Sequence, residues 1–296
     1  MLVVCNQPLT LYILDSSFNP PTLAHMHLCL SALHSHRPTP TSPPPRLLLL
    51  LSTLNADKGS GHPSTTLPQR LVGIEEFAQD LHSTLTSTSS SSSHPSSPPP
   101  DQEIAIDIAL TTQPFFHQKS HSISTTTPSP YPTSTTHIHL TGFDTLIRVL
   151  NPKYYSEGDL SPLVPFLERH GLSVAWRDTE GEDGWSRERQ EQWVGKMKGQ
   201  VEDMKGVQGW FRGENIEGEG GEGKRGIEMV DLEGKGSGIS SSRVREVVRE
   251  VAGKMKDEGK GEDRGEVERR EIKKALDGLV SERVREWIVE EGLYKE

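Results

Sequence analysis

Apolar and polar positions along the chain switch repeatedly between strand-like and helical periods. Residues 11–14 (Leu-Tyr-Ile-Leu) form a short apolar run that reaches Asp15 and turns through Ser16, Ser17 and Asn19-Pro20-Pro21. Leu23, Met26, Leu30 and Leu33 then recur at helical spacing, with Pro21 expected at an early helical position, where its missing N–H costs nothing. After a Pro-rich connection, the five leucines 47–51 are continuous, as in a parallel strand covered on both faces. Leu71, Ile74, Phe77, Ala78 and Leu81 predict a helix over 68–85, and alternation of Ile104, Ile106, Ile108 and Leu110 with smaller or polar residues predicts a strand. Further strands are predicted over 137–142, 172–176 and 227–232, and further helices over 143–150 and 185–204. Val244, Val247, Val248, Val251, Ala252 and Met255 mark a strongly patterned helix that begins after Ser240–Ser242, and Leu276, Leu279, Val280, Val284, Trp287 and Ile288 mark a closing helix. Strands alternating with helices imply an α/β fold, a doubly wound parallel sheet with right-handed crossovers. In such a sheet ligands bind beyond the carboxyl ends of the strands.

The rest of the chain carries little of this pattern. Segments 83–100 and 120–136 are dominated by Ser, Thr and Pro, and 206–226 by Gly and Glu. Such compositions bury too little apolar surface to offset the entropy of ordering, so all are expected to be disordered insertions in a single domain spanning 1–296. The charged stretch 257–271 reads as a solvated linker. Hydrophobic residues make up 32% and aromatic residues 6% of the 296, which agrees with a modest core and several solvated additions. A formal net charge of −10 argues against binding long nucleic acid, though a nucleotide needs only a local cluster of donors.

Cys5 and Cys29 are too few for a disulfide framework, which suggests a reducing compartment, cytoplasm or nucleus, with Cys29 packing as a small apolar residue. No run approaches the roughly 20 apolar residues that a bilayer span requires, and no signal peptide or membrane partner is expected. The histidines are scattered without the spacing of a structural zinc site, so no protein-held metal is expected.

Two stretches carry the chemistry. At residues 16–25, Ser-Ser-Phe-Asn-Pro-Pro-Thr-Leu-Ala-His joins a strand end to a helix start. Free N–H groups and the positive end of the helix dipole converge there, which suits phosphate. Read locally, this is also an ordinary strand-to-helix turn with a half-buried histidine. At residues 239–245, Ile-Ser-Ser-Ser-Arg-Val-Arg places hydroxyls at another helix start, with Arg245 one turn in and able to reach back to a phosphate. Read alone, it is a serine cap with surface arginines.

The first stretch resembles the Gly-Ser-Phe-Asn-Pro-x-Thr-x-x-His motif of the nicotinamide mononucleotide adenylyltransferases, in the nucleotidylyltransferase superfamily. Thr22 stands where most of the superfamily has the first histidine of His-x-Gly-His, and Ser16 stands where the family usually has glycine. The second resembles the family's Ile-Ser-Ser-Thr-x-x-Arg motif, with Ser242 in place of threonine. Asn55-Ala-Asp-Lys58 falls where the family places a lysine near the phosphates, and Gly142-Phe-Asp144 with Pro152-Lys-Tyr-Tyr155 resembles Gly-x-Asp-x-Leu…Pro-x-x-Trp. Residues 284–294 resemble the family's closing Val-x-x-Tyr-Ile…Leu-Tyr pattern. The family's Trp-Glu pair after the third strand is missing, and Phe115 or Phe116 stands in that region.

The resemblance implies a Rossmann-like nucleotidylyltransferase fold and transfer of AMP from ATP, with Mg²⁺, to nicotinamide or nicotinate mononucleotide. By that resemblance His25, Lys58 and Arg245 stabilise the reacting phosphates. Ser16, Ser17, Phe18, Asn19, Thr22, Gly142, Asp144, Ser240, Ser241 and Ser242 bind ATP, and Asn55 and Tyr155 bind the mononucleotide. Tyr155 would stack on the nicotinamide ring, or is a half-buried loop aromatic. Two alternatives stay open: a nucleotidylyltransferase acting on phosphopantetheine or phosphocholine, and a non-catalytic relative that binds nucleotide.

Overall fold

A computed structural model describes residues 9–36, 43–53, 65–91, 104–155, 158–177, 185–202, 210–211, 226–232, 239–257 and 264–296. Strands β1 (Thr10–Ser16), β2 (Arg46–Ser52), β3 (Ile106–Thr111), β4 (Thr136–Gly142), β5 (Gly171–Ala175) and β6 (Gly226–Val230) form one parallel sheet in the order β3-β2-β1-β4-β5-β6. This is the doubly wound order, and its direction reverses between β1 and β4. That junction opens a crevice at the carboxyl ends of the strands. Leu14 of β1 registers with Leu140 of β4, so Asp15 and Ser16 on one side and Thr141 and Gly142 on the other stand at its mouth.

Helices α1 (Leu23–His34), α2 (Leu67–Ser91), α7 (Ser241–Asp257), α8 (Arg264–Ala275) and α9 (Glu282–Glu290) share one core with the sheet residues Tyr12, Leu14, Leu47, Leu49, Leu51, Ile138 and Leu140. Helices α3 (Phe116–Thr125), α4 (Phe143–Val149), α5 (Val164–Arg169) and α6 (Arg187–Glu202) complete the described set, and α4, α5 and α6 share a second core with Leu172, Val174 and Ile227. The leucines of β2 explain their own continuity: Leu47, Leu49 and Leu51 face the first core, while Leu48 and Leu50 join Leu11 and Ile13 on the other face. On α7, Val244, Val248 and Ala252 are buried at 0%, 0% and 1% exposure, the stripe that the helical spacing predicts. Burying each valine contributes about 1.5 to 3 kcal/mol, so this helix is held by tertiary packing more than by propensity. Cys29 is fully buried, as its apolar role requires. Among the described residues, no helix is long and apolar enough to cross a membrane.

Five expectations need correction. Pro21 precedes the helix, whose N-cap is Thr22. Residues 83–91 of the 83–100 segment are helical, because α2 continues to Ser91, with Ser83, Thr84, Thr86 and Ser87 donating hydroxyl hydrogen bonds to carbonyls of the preceding turn, and 92–100 lie outside the described residues. Segment 120–136 is largely ordered. Ser120 is buried on α3 and meets Nε2 of His139 at 2.8 Å, while Ile123 and Tyr131 cover Leu11, Ile13, Leu48 and Leu50. A few apolar side chains in a polar stretch are enough here, because a sheet face otherwise lies open.

The charged stretch 257–271 contains most of α8, which is anchored by Ile272 at 1% exposure. The closing helix is shorter than its pattern: Gly278 at φ +73° breaks the chain before α9, and Leu276 and Val280 are buried from turns. Of segment 206–226, only Trp210, Phe211 and Gly226 are described, and Trp210 is buried in the second core.

Candidate active site

The turn after β1 is shaped by an unusual backbone. Phe18 adopts φ +45° with its ring fully buried between Phe77 and His25. A left-handed conformation in a bulky residue costs on the order of 1–3 kcal/mol and persists only when surrounding packing enforces it. Ser16 and Ser17, just before Phe18, line a cavity of about 260 Å³ at the β1/β4 junction.

Asn19 is the node that holds this turn. Its Oδ1 accepts hydrogen bonds from Thr65 Oγ1 at 2.7 Å and the Tyr294 hydroxyl at 3.0 Å. Its backbone carbonyl accepts from Arg245 Nη1 at 2.5 Å, and the next carbonyl, that of Pro20, accepts from Ser241 Oγ at 2.7 Å. Arg245 Nη2 also donates to Ser242 Oγ at 3.1 Å, while Ser240 Oγ caps α7 by accepting the Arg243 N–H at 3.1 Å. Two motifs more than 200 residues apart therefore share one polar network, although they follow β1 and β6, which β4 and β5 separate in the sheet; their common place at its carboxyl edge is what the sequence implied.

His25 lies at the third position of α1. Its Nδ1 accepts the backbone N–H of Thr22 at 3.0 Å and lies 2.8 Å from the Thr22 hydroxyl. Because a backbone N–H can only donate, Nδ1 carries no proton, and the neutral ring is protonated on Nε2. That Nε2–H donates to Ser16 Oγ at 3.0 Å. Burial lowers the His25 pKa to about 4, so the ring is neutral at ordinary pH. Ser16 lines the cavity and stands between His25 and that space, a consequence of serine at the position that the motif usually gives to glycine.

The far wall of the cavity is aromatic. Tyr155 donates its hydroxyl to the Val149 carbonyl at 2.7 Å, which fixes the ring beside Phe115, 6.0 Å away between centroids. Phe116 also reaches the cavity but packs on His139 at 4.7 Å. Phe115 and Tyr155 thus offer ring faces where the missing tryptophan would be expected. Gly142 caps α4 with open space where a Cβ would stand, and Asp144 on α4 pairs with Arg177 at 3.1 Å. Asn55 and Lys58 lie outside the described residues.

Sequence reasoning missed the floor of the cavity. Asp15 and Lys119 form an ion pair there, with side chains 9% and 4% exposed. Burial raises the Asp15 carboxyl above its ordinary value, and the Lys119 ammonium opposes that shift. Thr145 and Arg148 line the same space. Asp15 adjoins the motif and was findable as the residue at the end of a buried strand. Lys119 sits among serines and histidines and gave no signal. Among the described residues, no cluster of three or more His, Cys, Asp or Glu could hold a metal ion.

Comparison with known proteins agrees with the motif order. A Schizosaccharomyces pombe protein named "Putative nicotinamide mononucleotide adenylyltransferase" is 28% identical over 249 residues, covering 83% of this chain and 78% of that protein. This chain is similar to that protein over most of its length. No protein-family model matches it. Two structures of the Plasmodium falciparum nicotinic acid mononucleotide adenylyltransferase, one complexed with NaAD and one with APC, show 13% and 12% identity, with TM-scores of 0.45 and 0.44. Each comparison covers 96% of this chain, and 97% and 96% of the respective Plasmodium chains. In this chain Thr22 and His25 of the first motif and Arg245 of the second stand where the resembling motifs have threonine, histidine and arginine, while Ser16 stands in place of glycine.

Proposed function

We propose that this chain transfers the adenylyl group of ATP to nicotinamide mononucleotide, releasing pyrophosphate and forming NAD. The observation that carries the reading is the joining of Arg245 and Ser241 to the backbone of Asn19 and Pro20, which ties the second phosphate-type motif to the first, whose Ser16 and Ser17 line the cavity. The similarity to the fission-yeast protein supports the same reaction.

An oxygen of the mononucleotide phosphate bonds to the α-phosphorus of ATP as the bond from that phosphorus to the β-phosphate oxygen breaks. The nucleophile is already ionised, so no general base is needed. Positioning and neutralisation of developing charge supply the acceleration. Ser16, Ser17 and Thr22 shape the phosphate turn, with Phe18 and Asn19 holding its backbone. His25 positions and polarises Ser16. Arg245 supplies positive charge to the leaving phosphates, aided by Ser240, Ser241 and Ser242, and the motif resemblance assigns Lys58 the same role. Gly142 and Asp144 serve the nucleotide and Tyr155 the mononucleotide, to which the motif resemblance also assigns Asn55. Mg²⁺ would enter with ATP as part of the substrate and would neutralise charge on its phosphates.

The test is NAD formation from purified protein, ATP, Mg²⁺ and nicotinamide mononucleotide, followed with pyrophosphate release. Equal production of both supports the reading. ATP binding without pyrophosphate release, whatever acceptor is supplied, overturns it in favour of a nucleotide-binding relative.

A further inference from the structure

Helix α9 ends in a turn that Glu291-Gly-Leu-Tyr294 dictates. Gly292 takes φ +60°, its N–H bonds to the Val289 carbonyl at 3.3 Å, and the Leu293 N–H bonds to the Ile288 carbonyl at 3.1 Å. This pairing satisfies the last carbonyls of the helix and reverses the chain. Leu293 is buried in the first core with Ile288. Tyr294 follows at φ +64°, a left-handed conformation that a bulky residue keeps only when its surroundings enforce it. The enforcing contact lies at the far end of the ring, where the hydroxyl donates to Asn19 Oδ1 at 3.0 Å. The side chain is 7% exposed, and burial raises the pKa of the hydroxyl to about 12, so it remains a donor at ordinary pH.

The segment after α9 is tied to both phosphate motifs. Tyr294 reaches the first through Asn19, while Arg249, one turn beyond Arg245 on α7, donates through Nε to the Glu296 carbonyl at 2.8 Å. Lys295 pairs with Glu268 of α8 at 3.3 Å. We propose that Tyr294 is a positioning residue for the phosphate turn, so that seating of residues 292–296 and binding of ATP favour each other. The inference rests on the adenylyl-transfer reading in one respect, that the ATP phosphates sit at this turn. Thr65 supplies the other donor to Asn19 Oδ1, at 2.7 Å, so loss of the tyrosine hydroxyl alone loosens the side-chain amide without freeing it. A looser turn spends less time in the geometry that receives phosphate, and apparent affinity for ATP falls with that fraction. The converse follows from linkage. ATP, by selecting the ordered turn, holds Tyr294 and the helix end behind it in place by the same factor.

Two measurements test the coupling. The first compares wild type with Tyr294→Phe, which keeps the ring and removes the hydroxyl. The kcat/KM for ATP is expected to fall about three- to tenfold, the scale of one hydrogen bond, with the KM for nicotinamide mononucleotide unchanged. A role in packing alone would lower the unfolding midpoint and leave the ATP parameters at wild-type values, and that result overturns the proposal. The second follows amide hydrogen exchange in wild type with and without saturating MgATP. Exchange at Gly292 and Leu293 is expected to slow by about three- to tenfold, the reciprocal of the same coupling. Thr126, whose N–H closes the last turn of α3, serves as the reference for ordinary helix fraying and is expected to change little. No slowing at Gly292 and Leu293, or equal slowing at Thr126, overturns the proposal, and this arm decides the matter even if Tyr294→Phe does not fold. Slowing by ATP in a protein that forms no product with any acceptor supports the coupling and overturns the adenylyl-transfer reading. Failure to bind ATP overturns both.

Discussion

Arg245 donates through Nη1 to the Asn19 carbonyl at 2.5 Å and through Nη2 to Ser242 Oγ at 3.1 Å, so one guanidinium ties the loop after β1 to the start of α7. The planar fork is what makes both contacts possible from a single side chain. Arg245→Ala should lower kcat by about 10²- to 10³-fold, the usual scale for loss of one preorganised charge donor, and raise the KM for ATP. Arg245→Lys keeps the charge but not the fork, and should recover only part of the loss. Steady-state kinetics of both variants check this; near-wild-type turnover in the alanine variant would remove Arg245 from the reacting site.

The hydrogen bond from His25 Nε2 to Ser16 Oγ makes a different claim about acid–base behaviour. With a pKa of about 4, His25 stays neutral from pH 8 down to about pH 5. Its titration should add no limb near pH 6.5 to the kcat profile. His25→Ala should reduce kcat by about 10²-fold or more, because the Ser16 hydroxyl loses the donor that orients it. Ser16→Gly should be milder than Ser16→Ala, because glycine leaves His25 room to reach the phosphate directly. Alanine removes the hydroxyl and keeps the obstructing carbon. A kcat profile with an inflection near 6.5 that disappears in His25→Ala would overturn the neutral-ring assignment.

The parts legible in the sequence are those where one period dominates over several turns. The leucines of β2 and the valine stripe of α7 are of this kind, and their buried faces are the expected ones. The two phosphate motifs were legible because strand-end and helix-start residues are local. Their direct contact was implied only by topology, since parallel strands send their carboxyl ends to one edge. The misread segments fail for a common reason. Ile123 and Tyr131 are isolated apolar residues in polar surroundings, and Ile272 is nearly alone on α8. Each is buried because a neighbouring face needs cover, which no local window reveals. Lys119 is the extreme case: its meaning depends on Asp15, 104 residues away.

Buried histidines give the fold an acid limit. Desolvation lowers the pKa of His137 to about 3 and that of His139 well below its ordinary value, and the two are 1% and 0% exposed. Above pH 6.5 both are neutral in folded and unfolded chains alike, so they cause no pH dependence there. Below pH 6.5 the unfolded chain binds protons that the folded one refuses, and stability falls toward the folded pKa values. The slope is about 1.4 kcal/mol per pH unit for each fully buried group. Urea midpoints measured between pH 7.5 and 4.5 should be flat to about pH 6.5 and then decline. His139→Gln, which keeps an amide nitrogen for Ser120, should show a shallower decline.

Gly73 on α2 tests how tightly the C-terminal helix is seated. A Cβ built there would lie 2.9 Å from two ring carbons of Trp287, which is itself 7% exposed on α9. Exchanging glycine for alanine inside a helix normally gains about 0.5 to 1 kcal/mol. Forcing an extra carbon against a packed ring costs about 1 to 3 kcal/mol. The indole is rigid and confined, so the cost should win, and Gly73→Ala should lower stability by about 1 kcal/mol net. Trp287→Leu in the same background should lessen that penalty, because a smaller, flexible side chain vacates the space. Thermal or urea unfolding of the four forms gives the coupling directly. A Gly73→Ala protein as stable as wild type would mean that α9 shifts freely on α2.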